Sequence, residues 1–232
     1  MLITADLHTH TRYSHGKGSV EENIRAAINK GLKCVAISEH ASAHMFYGVR
    51  GEKLSKLRRE IDALAKKYAN EIEVLMGYEC NLTAFGECDM PTGDERKMFD
   101  IMLLGFHKGV WPRDRFMRNA LTEAFGLKKN DPIQTANSLL IAAEKHRIDI
   151  LSHPCEYVQA DIPTLSKGAK ELGILLEINN AHLSLTIDEI KKAASYGARF
   201  IIGSDAHRPE DVGEFSCAIA ATIAAGVSAE GR

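Results

Sequence analysis

This chain of 232 residues has no excess of charge of either sign: 29 Lys plus Arg stand against 31 Asp plus Glu, a formal net of −2. It therefore lacks the basic field that a polynucleotide partner demands. Its five cysteines, Cys34, Cys80, Cys88, Cys155 and Cys217, form no Cys-x-x-Cys pair. That argues against a disulfide framework or a thiolate zinc ribbon, and for a reducing, cytoplasmic compartment. Long apolar runs are missing too. The most apolar stretch, Cys217 to Val227, is Ala-rich, broken by Thr222 and Gly226, and short of the ~20 residues a membrane span needs. Asp6 interrupts the amino terminus too early for a signal peptide. With 45% hydrophobic and 26% charged residues, the composition excludes disorder, collagen-like repeats and coiled coil. Histidine is abundant instead: there are 10, more than Tyr, Phe or Pro.

Apolar runs bounded by turn residues alternate with segments of helical period throughout the chain. Seven runs read as strands: 2–7, 33–38, 73–78, 100–106, 148–152, 174–178 and 199–203. Between them, Ser19 and Glu22 open a helix with a capping box that stops at Lys30-Gly31. Leu54, Leu57, Ile61, Leu64, Ala65 and Tyr68 line one face of a second helix, and Asn130-Asp131-Pro132 starts another that runs to about Lys145. Further helices are expected over 161–171, 186–196 and 209–225. Strand alternating with helix from end to end implies parallel strands joined by right-handed crossovers, in one α/β domain over 1–232. Periodicity alone does not separate a closed barrel from a doubly wound sheet.

The residues just beyond each strand carry the chemistry. Asp6-Leu7-His8-Thr9-His10 and His15 come after the first, Glu39-His40 after the second, Glu79 after the third, His107 after the fourth, His153 after the fifth and Asp205-Ala206-His207 after the seventh. The carboxyl ends of parallel strands are where α/β folds build their sites, so seven of the ten histidines would meet two carboxylates on one rim. Imidazole and carboxylate together are ligands for divalent metals. His8 and His10, two apart on an extended segment, point the same way and would grip one ion together. A catalytic zinc uses about three protein ligands, so this set implies two or three ions, Zn first, with Mn or Fe also suited to nitrogen and oxygen donors. His44, His146 and His182 read as bystanders.

These residues resemble the ordered motifs of the PHP (polymerase and histidinol phosphatase) superfamily: Asp6-Leu7-His8-Thr9-His10, Ser38-Glu39-His40, Gly77-Tyr78-Glu79, Gly105-Phe106-His107, Ser152-His153-Pro154 and Gly203-Ser204-Asp205-Ala206-His207. Gly86-Glu87-Cys88-Asp89 and Leu176-Glu177-Ile178-Asn179-Asn180 add a likeness to the YcdX-like trinuclear-zinc phosphatases. The resemblance implies a distorted (β/α)7 barrel with its active site at the carboxyl ends of the strands. It implies one metal held by His8, His10, Glu79 and Asp205, a second by Glu79, His107 and His153, and a third by His15, His40 and His207. Glu79, Asp205 and His207 would form the catalytic set, and Asp6 would support it from behind. The sequence departs from the family at Ser38-Glu39-His40, where Thr-Asp-His is more usual.

Divalent ions so arranged suit phosphate-ester hydrolysis, since they supply hydroxide at neutral pH and clamp the attacking and leaving oxygens. The substrate expected is a small anionic phosphomonoester, with Arg12, Lys17 and Arg208 on the ligand-bearing loops to bind its remaining oxygens. The segment 111–127 reads as a helical flap beside the site mouth. The alternatives are a nucleotidyl phosphodiesterase or exonuclease, as in the PHP modules of some DNA polymerases, and a non-catalytic metal-binding regulatory module. Neither a membrane nor nucleic acid is expected as a partner. The resemblance leaves a homo-oligomer open.

Overall fold

The structure, a computed structural model, describes residues 2–228, so Met1 and 229–232 lie outside it. Its strands and helices run in the order β1 (Ala5–Thr9), α1 (Val20–Asn29), β2 (Cys34–His40), α2 (Glu52–Lys67), β3 (Glu73–Ala84), β4 (Glu87–Cys88), β5 (Ile101–Gly105), α3 (Arg115–Ala124), α4 (Pro132–His146), β6 (Ile150–Leu151), α5 (Ile162–Leu172), β7 (Leu175–Asn179), α6 (Ile187–Ser195), β8 (Arg199–Gly203) and α7 (Ser216–Ala225). Helix starts are set by side chains that take the free amides of the first turn. Ser19 with Glu22 and Thr186 with Glu189 close capping boxes on α1 and α6, while Asp131 and Asp161 cap α4 and α5, each with a proline in its first turn.

All strands but β4 pair in parallel, in the order β1-β2-β3-β5-β6-β7-β8. The two ends of this path meet: Thr9 bridges to Ala206, and the His10 amide donates to the Ala206 carbonyl at 2.8 Å. Below that point Asp6 spans the seam with its side chain, accepting from the amides of Ser204 at 3.2 Å and Gly213 at 2.9 Å. The result is a distorted (β/α)7 barrel of seven parallel strands. The two-residue β4 is an antiparallel appendage of β3, too short to leave a periodic signal in sequence.

The barrel interior is layered. Cys34, Ala36, Leu75, Ile101, Leu103, Ile150, Leu175 and Ile201 form an apolar plug inside it, separate from the larger core between sheet and helices. Continuing by twos along the same strands brings Ser38 and His40, Gly77 and Glu79, Gly105, Ser152, Glu177 and Asn179, Gly203 and Asp205 to the inner face above that plug. On β1, Ala5 and Leu7 belong to the plug, a phase that would turn His8 and His10 away. An irregularity between Asp6 and Thr9 corrects this: three steps on β1 match two on β2, from Val35 to Ile37. Such a bulge inverts the alternation, re-aiming His8 and His10 inward.

Two expectations change. The helix expected over 209–225 is a short 3-10 turn at Pro209–Asp211 and then α7, separated by Gly213, whose φ is +72° and whose amide serves Asp6. The segment 111–127, expected as a helical flap beside the mouth, does carry a helix, α3, but one anchored by Phe116, Met117 and Ala120 in the main core, while Trp111, Phe125 and Leu127 at its ends are exposed. Among the described residues no helix is long and apolar enough to cross a membrane.

Candidate metal centre

Glu79 is the hub of the upper barrel. It is fully buried, and five imidazoles converge on its two oxygens: His153 Nε2 at 2.8 Å, His107 Nε2 at 3.2 Å and His8 Nε2 at 3.3 Å from Oε1, and His40 Nδ1 at 2.8 Å and His10 Nε2 at 3.7 Å from Oε2. Register explains part of this, because β2 and β3 pair with His40 directly opposite Glu79. The Ser152 hydroxyl donates to Glu79 Oε1 at 2.9 Å and fixes the carboxylate from β6. Asp205 answers from the other side, with Oδ1 at 3.2 Å from His10 Nε2 and 3.5 Å from His8 Nε2. Two of these residues hold left-handed backbone, His153 at φ +29° and Asp205 at +55°, conformations that non-glycine residues keep chiefly where surrounding structure enforces them.

Ionisation reflects this crowding. Burial opposes the Glu79 charge, but His107, His8 and His40 outweigh it and hold its carboxyl well below the usual range. Asp205 is likewise buried and held well below its usual range by His8 and His10. Burial drives His10 and His15 down to about 3, with His207 reinforcing the effect in His15. Their rings are therefore neutral and present lone pairs. His8 Nε2, both nitrogens of His10, His40 Nδ1, His107 Nε2, His207 Nε2 and Glu79 Oε2 are buried and make no well-aligned hydrogen bond, although carboxylate oxygens stand close to several of them. Leaving such groups unsatisfied costs about 1–3 kcal/mol each, which a shared cation would remove. Among the described residues, ligand atoms within 4.8 Å of one another form four overlapping groups: His8–His10–Glu79, His8–His153–Asp205, His40–Glu79–His107 and His10–His40–His207. The donor set fits divalent metal.

Eight of the nine expected ligands fall in these groups. His15 stands at their edge, half-buried, its ring centroid 4.2 Å from that of His207 and 4.9 Å from that of His40. Asp6 supports the barrel seam, and its carboxyl, raised by burial, faces backbone amides. Glu39, the departure from the usual motif, accepts from the Thr11 amide at 3.0 Å and from the hydroxyls of Thr11 and Ser14, tying the loop after β1 to β2.

The expected phosphate-binding cations are elsewhere. Arg12 is exposed, bound to Glu22 at 3.1 Å and to the Lys17 carbonyl at 2.7 Å; Lys17 is exposed; Arg208 lies 3.9 Å from Glu210 in solvent. None of them lines the cleft of about 190 Å³ above the centre. Its walls carry instead His44 and His182, bystanders by sequence pattern, and Lys108, which stands outside every motif. His44 stacks on His40 with ring centroids 5.0 Å apart, and His182 sets Nδ1 3.1 Å from Glu156 and Nε2 3.8 Å from Asp205. His146 lies outside the cleft, 3.6 Å from Glu87. Glu177, which in sequence is only one member of a motif, holds His8 Nδ1 at 2.8 Å with one oxygen and accepts from the His153 amide at 2.8 Å with the other.

Fold and site together define a (β/α)7 barrel protein with a histidine–carboxylate centre of metal-binding type at the carboxyl ends of its strands. The chain belongs to the PHP domain family, whose model matches residues 6–204. It is 29% identical over 245 residues to a probable phosphatase of Thermoanaerobacter sp. (strain X514), covering 98% of this chain and 89% of that protein. It is also 27% identical over 229 residues to the DNA polymerase/3'-5' exonuclease PolX of Bacillus subtilis (strain 168), covering 94% of this chain but 37% of that one. In fold it is similar to the histidinol phosphate phosphatase of Lactococcus lactis, solved with zinc, L-histidinol and phosphate. The TM-score there is 0.64 at 16% identity, over 99% of this chain and 96% of that one.

Proposed function

We propose that this protein is a metal-dependent phosphatase that hydrolyses a small phosphomonoester at a centre of two or three divalent ions. The observation that carries the reading is the convergence of five imidazoles on the buried Glu79, with Asp205 opposite and ligand atoms left without well-aligned hydrogen bonds. His8, His10, Glu79 and Asp205 would hold one ion, Glu79 with His107 and His153 a second, and His15, His40 and His207 a third. Bound there, divalent ions supply Lewis acidity, activating water and neutralising phosphoryl charge. Zinc is the first candidate, with manganese and iron suited to the same donors.

The chain's own residues orient and enclose. Glu177 fixes the His8 ring so that Nε2 faces Glu79 and Asp205, and Ser152 fixes Glu79. A carboxylate behind a ligating histidine sets its tautomer and raises its basicity. The cleft is small beside the roughly 300–1,000 Å³ of pockets for drug-sized ligands, and its volume of about 190 Å³ favours a compact ester. With one lysine on its walls and a formal net of −2 for the chain, it offers no track for a polynucleotide. The test is hydrolysis of p-nitrophenyl phosphate before and after chelation. Turnover that is lost with chelator and restored by Zn, Mn or Fe supports the reading, and none with any of the three overturns it.

A further inference from the structure

Lys108 is the single lysine or arginine lining the cleft among the described residues. It comes directly after the expected ligand His107, yet its ammonium is not drawn to the centre's carboxylates. Nζ lies 4.6 Å from the ring centroid of Tyr157 and 5.7 Å from that of Phe125. Tyr157 is a wall of the cleft, whereas Phe125 caps α3 outside it and is 63% exposed. The ammonium therefore stands at the mouth, steadied against two aromatic faces. No carboxylate pairs with it among the described residues, and Glu156, the acidic residue on the same wall, is engaged by His182 at 3.1 Å.

Floor and mouth thus differ in what they can take. The atoms without well-aligned hydrogen bonds are buried at the floor, where a phosphoryl group would be drawn. The alcohol part of the same ester would then lie toward the mouth, within the range of a free cation. A positive group set there favours a leaving group carrying a negative charge and disfavours one carrying an amine.

We propose that Lys108 forms a second anion subsite, so that the substrates are phosphomonoesters whose alcohol part bears a further anionic oxygen group, a carboxylate or a second phosphate. This rests on the phosphatase reading for the orientation of the ester. Lys108 acts here on specificity, through contact with the leaving group's charge.

A matched pair of ligands separates the two ideas. The phosphonate analogues of 3-phosphoglycerate and glycerol 3-phosphate share a three-carbon frame and differ by a carboxylate in place of a hydroxymethyl group, and neither can be hydrolysed. Calorimetric titration of the metal-loaded full chain should show the carboxylate-bearing analogue binding at least about ten-fold tighter, the factor expected of one charge-assisted contact. Lys108→Ala should bring that ratio close to one, and Lys108→Arg should keep most of it. Metal content measured on each variant ensures that a disturbed His107 is not mistaken for a lost subsite. No preference in the wild type, or a preference that survives in Lys108→Ala, overturns the proposal. Turnover of the two parent esters is read separately. A Lys108-dependent preference with no hydrolysis of either ester or of p-nitrophenyl phosphate under any of Zn, Mn or Fe would leave the subsite standing and remove the phosphatase reading, and hydrolysis of both esters at equal efficiency with no binding preference would do the reverse.

Discussion

His8 Nδ1 lies 2.8 Å from Glu177 Oε1, with both side chains sealed from solvent. The contact depends on a third position, since a Cβ at Gly203 would collide with that same carboxylate oxygen. Glycine at 203 thus makes room for a carboxylate on β7 to reach across to a histidine on β1, closing the barrel seam chemically above Asp6.

Glu177→Gln is expected to weaken metal binding about 10–100-fold, the usual effect of losing a carboxylate behind a ligating histidine. The amide would still face His8 but would lose the charge, and with its nitrogen in place of Oε2 it could no longer accept from the His153 amide. Competition against a chromogenic chelator measures the change. An unaltered affinity would remove Glu177 from the support of the centre.

Glu39 gives a pH dependence of definite sign. Burial pushes its carboxyl up to about 7 from an ordinary 4.5, despite the hydroxyls of Ser14 and Thr11 that donate to it. The folded chain therefore binds a proton there more tightly than the unfolded chain. In the metal-free protein, stability falls as pH rises from about 4.5 to about 7 and then levels off, a loss on the order of 3 kcal/mol at ~1.36 kcal/mol per unit. Urea unfolding of wild type and Glu39→Gln, each at about pH 5 and about pH 8, isolates this contribution. The variant should lack that part of the fall, and equal falls in both proteins would contradict it.

How much of the fold and centre is legible in sequence depends on whether a residue's position is fixed by local pattern. The seven parallel strands and the residues at their ends are legible because short continuous apolar runs end where the ligands begin, as at Ile37 and Gly203. The inward turn of His8 and His10 is legible too, but its cause, the bulge after Asp6, is not, because one extra residue leaves no mark on an apolar pattern. His44, His182 and Lys108 lie on loops, whose path is set by contacts distant in sequence. The Met45 amide, for example, donates to the Gly109 carbonyl at 2.8 Å and draws the loop after β2 against the one after β5. Arg12 departs from its expected place for a related reason: its partner Glu22 caps α1, and sequence shows the capping box but not the side-chain pairing.

The segment around α3 offers a stability test. Met117 is fully buried and belongs to the main core, so Met117→Ala should cost about 2–5 kcal/mol of unfolding free energy. Equilibrium denaturation measures it. A cost well below that range would restore the picture of a detachable flap.

Metal content per chain, compared between wild type and Glu79→Gln, is the most direct test of a polynuclear centre gathered around one carboxylate. The wild type, purified without chelator and analysed by elemental spectrometry, should carry about two to three equivalents of divalent metal. Glu79→Gln, deprived of the charge on which five imidazoles converge, should lose most of that metal together with its phosphatase turnover. A wild type with less than about one equivalent, or a variant that keeps the full complement of metal, would contradict it.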